Sequence, residues 1–193
     1  MTTTRCAAAL TLALLAASVS TPVGAQAAAV LQPAQSEIVF TSTQMGVPVD
    51  GRFRRFDAQV ALNPRQAESG QVVLSIDTAS ATLGLPDTDA ELPKANWFAS
   101  AQFPQATFRS TTIKALGGGR FEVAGELAIK GRTQALTVPV QVTQSGSTSV
   151  ATGRFSIRRL AFRIGEAEWA DTALVADDVA VRFKLVFTGL APL

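Results

Sequence analysis

The 193-residue chain contains no histidine and no tyrosine, and its single cysteine is Cys6. Without histidine, neither a Ser–His nor a Cys–His catalytic pair can form, and a histidine-based metal site is excluded as well. If Cys6 is removed during export, the mature protein also lacks disulfides, thiol nucleophiles and thiolate metal ligands. Carboxylates are then the main groups left for acid–base or metal chemistry.

Net charge is also small. Seventeen lysines and arginines stand against 15 aspartates and glutamates, which leaves a formal net charge of +2. Nucleic-acid binding depends on neutralising many phosphates, and a nearly neutral chain gives it no support. We therefore expect no nucleic-acid partner.

The first 27 residues have the pattern of a secretory signal peptide. Arg5 precedes an uncharged apolar run over residues 6–19, and Ala25-Gln26-Ala27 fits the small-x-small cleavage rule. The run is too short for a membrane-spanning helix, which needs roughly 20 residues. We predict cleavage after Ala27, export to the periplasm, and one mature domain over residues 28–193.

Alternating apolar and polar residues fill most of the remaining chain and predict an all-β fold of about eight antiparallel strands. The clearest hairpin joins residues 103–110 to residues 120–131 through Gly117-Gly118-Gly119, and residues 179–187 form the cleanest strand. Successive strand side chains point to opposite faces, so each strand has one apolar face. Such a sheet must close into a barrel or pack on a second sheet, and the pattern allows both.

Three irregular stretches interrupt the alternation. The apolar phase shifts between Phe53 and Phe56, which predicts a β-bulge near Arg54-Arg55 within one long strand. Residues 78–102 lack the alternation and predict one or two short helical turns, in an insert of the length that often forms a lid or rim. Leu160 and Phe162 are interpreted as extending the strand before them, ahead of an irregular acidic stretch around Trp169.

An ordered series of segments covers nearly all of the chain after residue 27: residues 36–40, 45–47, 51–53, 56–57, 76–80, 97–98, 103–110, 125–131 and 179–187. This series resembles the YceI-like family of exported bacterial proteins. The resemblance implies an extended lipocalin-like antiparallel barrel that holds a polyisoprenoid chain, and hence an isoprenoid lipid or quinone as ligand. Residues 165–169 resemble a subgroup with members that accompany membrane b-type cytochromes, which suggests a cytochrome partner.

The inward phase of the predicted strands, with Phe98 of the insert, supplies the candidate ligand-binding residues. For any one of them ordinary core packing is the alternative, but together they describe an apolar interior suited to a ligand that forms no hydrogen bonds along its length. Gly125 and Ala58 are expected to face the same interior. The candidate residues are Phe40, Phe53, Phe56, Val60, Leu74, Ile76, Phe98, Phe108, Phe121, Leu127, Ile129, Val138, Val140, Phe155, Phe183 and Leu185.

The polar candidates are weaker. Two acidic groups could hold a hard cation, but their spacing matches no calcium loop, and we interpret them as loop caps. Four basic residues could meet a phosphate headgroup at the barrel rim, although a surface role is favoured. The acidic groups are Asp87, Asp89 and Glu91, and Glu166, Glu168 and Asp171; the basic residues are Arg52, Arg54, Arg55 and Lys94.

These patterns leave three functional hypotheses. The favoured one is a non-enzymatic periplasmic carrier of an isoprenoid lipid, with no catalytic residue, metal or cofactor. The second is an enzyme that uses Asp87 or Glu91 on an apolar substrate. The third is a filled barrel that serves as an interaction module, supporting a membrane b-type cytochrome or an envelope-stress partner through its long insert. An interior without a continuous cavity would favour it.

Overall fold

A computed structural model describes residues 29–193, and the predicted signal peptide, residues 1–27, lies outside the described residues. The strands of this part are β1 (Val30–Leu31), β2 (Glu37–Gln44), β3 (Val47–Phe53), β4 (Phe56–Ala61), β5 (Gln71–Asp77), β6 (Ala81–Thr82), β7 (Gln105–Gly117), β8 (Arg120–Ile129), β9 (Arg132–Ser145), β10 (Thr148–Arg158) and β11 (Val175–Thr188). The one α-helix among the described residues is α1 (Pro86–Asp89), and 3-10 turns occupy Pro33–Gln35, Pro64–Ser69, Thr78–Ser80, Arg159–Phe162 and Ala167–Ala170.

The strands form one antiparallel sheet that curls into a barrel. Their hydrogen-bonded order is β4-β5-β7-β8-β9-β10-β11-β2-β3-β6, and β1 pairs with β11. The two-residue link Arg54-Arg55 joins β3 to β4, so the sheet returns to the strand with which it began. With β3 and β4 counted as one bent strand, the barrel has the eight long strands that the pattern predicted, and β1 and β6 are short additions. The extended, antiparallel, lipocalin-like fold is thereby confirmed.

The first described residues, 29–31, lie between β4 and β11. The Ala29 N–H donates to the Val60 carbonyl at 3.0 Å, while Val30 and Leu31 pair with Thr188 and Phe187 of β11. Ala29 and Leu31 are both buried. This segment therefore closes the barrel at the end opposite to the long insert.

The predicted bulge at Arg54-Arg55 is wrong in detail, because the ladder stops there instead of continuing around an extra residue. The Arg54 N–H donates to the Ser80 carbonyl and the Arg55 N–H to Ser80 Oγ, each at 3.1 Å. These donors are used by the turn Thr78–Ser80, so they pair with no neighbouring strand. As a result β3 pairs with β2, whereas β4 pairs with β5.

The central hairpin of β7 and β8 forms as predicted. Phe108 lies opposite Leu127 and Ile113 lies opposite Val123, with a register shift between Ser110 and Thr112. All three glycines of the turn have positive φ, between 62° and 80°, a conformation that suits glycine. The predicted inward residues of β8 therefore face the interior together.

Two long, largely irregular connections gather at one end of the barrel, which we call the insert end. The first is the insert of residues 78–104, between β5 and β7, with its predicted short helical turns; the second is residues 159–174, between β10 and β11. The prediction that Leu160 and Phe162 extend a strand is wrong, because they lie in a 3-10 turn that ends at Arg163 with φ 59°. No helix within residues 29–193 combines the length and the apolar character needed to cross a membrane.

Candidate functional site

The barrel encloses a cavity of about 640 Å³, lined largely by aliphatic and aromatic side chains from every long strand. Ligand sites for small molecules typically measure about 300–1,000 Å³. The predicted ligand-binding residues that line it are Phe40, Phe53, Val60, Leu74, Ile76, Phe98, Phe108, Phe121, Leu127, Ile129, Val138, Val140, Phe155, Phe183 and Leu185. Their contact with a ligand stays a prediction.

Phe56 is the predicted residue that does not line this cavity. It is the first residue of β4, directly after the break in the ladder, and it is half-buried. Together with Arg54 and Arg55 it lines a separate, polar groove at the junction of β3 and β4. Its apolar phase is that of Ala58 and Val60, but its position at the break removes it from the cavity wall.

Three inward glycines leave room for phenylalanine rings against the barrel wall. A Cβ on Gly153 would lie 2.5 Å from Phe183 Cζ, and one on Gly125 would lie 2.6 Å from Phe108 Cζ. Gly51 is packed just as closely against the ring of Phe40, its cross-strand partner. The rings therefore lie over glycine backbone and not over side chains, which keeps the centre of the barrel open. Gly125 does not face open space as expected, whereas Ala58 lines the cavity.

Polar cavity-lining side chains come mainly from the insert end. Asp87, Thr88 and Glu91 belong to the insert, and Gln44 is the last residue of β2. Asp89, in contrast, is a structural cap: its carboxylate accepts hydrogen bonds from the Thr82 hydroxyl and from the Leu83 N–H. These bonds hold the pKa of Asp89 below its ordinary value. Of the three carboxylates of the insert, Asp89 is therefore a cap, whereas Asp87 and Glu91 line the cavity, and Glu91 also accepts a hydrogen bond from Lys94.

Arg159 is fully buried at the cavity wall and uses all of its N–H donors on backbone carbonyls. Nε donates to Ala176, Nη1 to Ile164 and Gly165, and Nη2 to Trp169 and Val175, at 2.5–3.0 Å. A guanidinium has five donors, so none is left for another partner. Burial lowers the pKa of Arg159. The side chain thus fixes the path of residues 159–176 around the end of the barrel.

Lys130 joins three segments at the same end. Its Nζ donates to the Ala95 carbonyl of the insert at 2.6 Å, to the Arg163 carbonyl at 2.7 Å and to Glu166 Oε2 at 2.9 Å. The Lys130 side chain is 7% exposed. Hydrogen bonds from Lys130 and Arg163 lower the pKa of Glu166. Lys130 therefore holds the insert and the β10–β11 connection together over the barrel.

Trp97 presents a different case. The Trp97 Nε1 is the one buried side-chain nitrogen or oxygen among the described residues that lacks a hydrogen-bond partner. Trp97 lines the cavity, and its ring centroid lies 5.6 Å from that of Trp169, which also lines the cavity. A buried donor without a partner costs about 1–3 kcal/mol. The sequence placed both tryptophans in non-periodic stretches, so strand phase gave no sign that they face the interior.

The other predicted polar residues lie elsewhere or are paired. Arg52, Arg54 and Arg55 line the groove at the β3–β4 junction, where Arg55 pairs with Asp77 at 2.8 Å. Lys94 pairs with Glu91 of the insert. Over residues 29–193, no three histidine, cysteine or acidic side chains gather in a way that could hold a metal ion.

An antiparallel barrel with an apolar interior belongs to the lipocalin-like class, whose smaller members have room inside for one small ligand. Within that class, residues 30–187 match the model of the YceI-like domain, and the chain therefore belongs to the YceI-like family. A UPF0312 protein of Vibrio cholerae is 29% identical over 68% of this chain and 72% of its own length. A UPF0312 protein of Shewanella denitrificans is 28% identical over 69% of this chain and 72% of its own.

Solved structures show the same fold. The crystal structure of Burkholderia cenocepacia BcnA is 41% identical, with a TM-score of 0.78 over 81% of this chain and 98% of that chain. A polyisoprenoid binding domain from Saccharophagus degradans, implicated in plant cell wall breakdown, has a TM-score of 0.68 at 18% identity. The match covers 87% of this chain and 100% of that chain.

Proposed function

We propose that this protein is an exported, non-catalytic carrier that holds an isoprenoid lipid, or the isoprenoid tail of a quinone, inside its barrel in the periplasm. The observation that supports the proposal is the cavity of about 640 Å³ with its largely hydrocarbon wall. A filled interaction module needs no such space. The Saccharophagus degradans neighbour is described as a polyisoprenoid binding domain, which agrees with this ligand class.

The physical chemistry of such a site favours a long apolar guest. Burial of a CH₂-sized group contributes about 0.8 kcal/mol, so one five-carbon isoprene unit contributes up to about 3–4 kcal/mol. A few units then exceed the several kcal/mol that association and ordering cost. Affinity should accordingly rise with tail length until the cavity is filled.

Native mass spectrometry of the protein purified from the periplasm tests this proposal. We expect a mass excess that corresponds to a bound lipid, and a prenyl chain in the organic extract of the same sample. Empty protein that also fails to take up added prenyl lipid would contradict the carrier function. The partnership with a membrane b-type cytochrome stays a prediction from the resemblance, and copurification from solubilised membranes would test it.

A further inference from the structure

On β7 and β8 the outer wall of the barrel shows the usual arrangement of charged side chains across a sheet. Arg109 lies opposite Glu126, and Lys114 lies opposite Glu122. Cross-strand neighbours of opposite charge stabilise a sheet, whereas like charges directly opposite each other destabilise it. This part of the wall therefore has the charge pattern that stability alone favours.

The reverse arrangement occurs on β10 and β11, where Arg154 lies directly opposite Arg182. The row continues through Val39 of β2 to Arg52 of β3, its cross-strand neighbour. All three arginines are exposed. Neither Arg154 nor Arg52 takes part in an ion pair within residues 29–193. Because this arginine row costs stability and is not neutralised by the protein, it indicates an anionic partner outside the chain.

The arginine row reaches the polar groove at the β3–β4 junction, where positive charge exceeds negative charge. The basic side chains of the groove are Arg52, Arg54, Arg55 and Arg182, and its acidic side chains are Glu37 and Asp50. Three of these arginines have a carboxylate nearby: Arg55 has Asp77, Arg182 has Asp50, and Arg54 interacts electrostatically with Asp89. Arg52 and Arg154 thus supply the excess charge of this surface.

The type and spacing of these cations favour an extended partner that carries phosphate groups. A guanidinium is a planar fork that donates two parallel hydrogen bonds to a phosphate. The arginine row crosses four neighbouring strands, which lie about 4.8 Å apart, so it extends over about 14 Å. A single small anion cannot reach both ends of this row, whereas a phospholipid surface presents phosphates along its whole length.

The position of the groove points to a membrane. Ile38, Phe53 and Leu83 line both the groove and the ligand cavity, so a single layer of side chains separates the two. The proposed guest is a membrane lipid, and a carrier has to reach the bilayer in order to exchange it. A phospholipid surface therefore accounts for the charge and for its place beside the cavity, whereas an acidic protein would account for the charge alone.

We propose that the arginine row of Arg154, Arg182 and Arg52, together with the adjoining groove, binds the phosphate groups of an anionic phospholipid bilayer. This inference rests on the proposed carrier function, for which it names the membrane-docking surface. In the docked state the outer wall formed by β10, β11, β2 and β3 lies against the bilayer, and phosphates neutralise the arginines that lack a carboxylate.

Sedimentation with lipid vesicles tests the proposal on the purified mature protein. One set of vesicles contains phosphatidylglycerol and phosphatidylcholine in equal amounts, and the other contains phosphatidylcholine alone. We expect the wild type to bind the first set and not the second. Binding should weaken strongly when the salt concentration rises from about 0.1 M to about 1 M, because the Debye length then falls from about 10 Å to about 3 Å.

The double variant Arg52→Gln/Arg154→Gln should bind the phosphatidylglycerol vesicles about tenfold to thirtyfold more weakly, since each arginine near an anionic surface contributes about fivefold. Arg109→Gln/Lys114→Gln is the matched control, because it removes two exposed positive charges from β7, outside the arginine row. It should bind almost as the wild type does.

Thermal melting separates docking from a structural role. Arg154→Gln should melt at the same temperature as the wild type or higher, because it removes one member of a like-charge pair. Weaker vesicle binding by a variant that is no less stable is the result expected of a docking residue. A clear loss of stability in Arg154→Gln would instead show a structural role and overturn the proposal.

The remaining outcomes distinguish this proposal from other partners and from the carrier function. Equal binding of the wild type to both sets of vesicles, or unchanged binding by Arg52→Gln/Arg154→Gln, would overturn the docking surface. Binding to polyglutamate or to soluble polyphosphate, but not to vesicles, would overturn the bilayer as the partner. Native mass spectrometry measures uptake of a prenyl lipid added in detergent: uptake without vesicle binding overturns the docking surface alone, whereas vesicle binding without uptake contradicts the carrier function alone.

Discussion

The ring of Phe40 lies directly against Gly51, its cross-strand partner, so closely that no Cβ fits between them. The ring thus occupies space above the glycine backbone and leaves the middle of the barrel free. Gly125 with Phe108 and Gly153 with Phe183 repeat this arrangement. The width of the cavity therefore depends on the smallness of these glycines as much as on the size of the surrounding apolar residues.

Gly51→Ala should push the Phe40 ring toward the cavity and destabilise the protein by about 1–3 kcal/mol, the usual cost of overpacking. Leu83 Cδ2 would lie 2.7 Å from the new Cβ, so a second side chain would also have to move. Chemical denaturation of a double-mutant cycle with Phe40→Leu checks the cause. In the Phe40→Leu background, Gly51→Ala should cost less by about 0.5 kcal/mol or more, because the ring is gone. Equal costs in both backgrounds would contradict the packing explanation.

Ala58→Trp should block lipid uptake, because Ala58 is 4% exposed and its side chain lines the cavity. Gln59→Trp is the matched control, since Gln59 is the next residue of β4 and is exposed. We expect bound prenyl lipid to fall at least tenfold in Ala58→Trp and to remain unchanged in Gln59→Trp, as measured by native mass spectrometry. Circular dichroism shows whether each variant folds. If Ala58→Trp does not, the smaller change Ala58→Phe should still reduce uptake; full uptake by a folded Ala58→Phe would mean that the tail does not pass this point.

Much of the barrel could be predicted because strand periodicity is a local property of the sequence. In residues 179–185 the apolar residues alternate with other residues, and this pattern identifies the inward face from the segment alone. The four residues of that face all line the cavity: Val179, Val181, Phe183 and Leu185. The same reasoning failed at Phe56, because its position depends on a break in the ladder. That break is caused by hydrogen bonds from Arg54 and Arg55 to a turn far along the chain.

The insert end could not be predicted because its contacts have no period. Arg159 in the sequence resembles any surface arginine after a strand, and its burial depends on five carbonyls from residues 164–176 that turn toward it. Trp97 likewise shows no alternation with its neighbours. One feature of the sequence did point to the insert end, because each of the two long irregular stretches contains one of the chain's two tryptophans.

Arg159→Met should destabilise the protein by about 3 kcal/mol or more, because several buried carbonyls lose a charged donor. Arg158→Met is the matched control, because Arg158 directly precedes Arg159 but its side chain is 75% exposed and pairs with Asp177. An exposed ion pair contributes about 0–1 kcal/mol, so the control should unfold almost like the wild type. Arg159→Lys should recover only part of the loss, since an ammonium has three donors. Chemical denaturation measures all three variants, and similar costs at the two positions would disprove the role given to Arg159.

Hydrogen exchange should locate the effect of Arg159→Met in residues 159–176, the segment that the guanidinium holds. Protection should fall there first, while amides in the β7–β8 hairpin exchange as in the wild type. Uniform loss of protection over the barrel would instead mean that Arg159 supports global stability without a local effect on the loop.

The Lys130–Glu166 contact should make the stability of the insert end depend on pH. The pKa of Glu166 is below its ordinary value of 4.5, because hydrogen bonds from Lys130 and Arg163 favour the carboxylate. A lowered folded-state pKa contributes stability that is fully present above the unfolded-state pKa and is lost as the pH falls through the folded-state pKa. Wild-type protein should therefore melt above Glu166→Gln at neutral pH, and the gap should narrow as the pH falls below about 4.5. Thermal melts over a pH series measure this gap between the melting temperatures of wild type and Glu166→Gln.

Glu168→Gln is the control, because Glu168 is exposed in the same connection. The gap between its melting temperature and that of the wild type should stay near zero throughout. A Glu166→Gln gap that is constant with pH would show that the carboxylate's charge does not stabilise the contact.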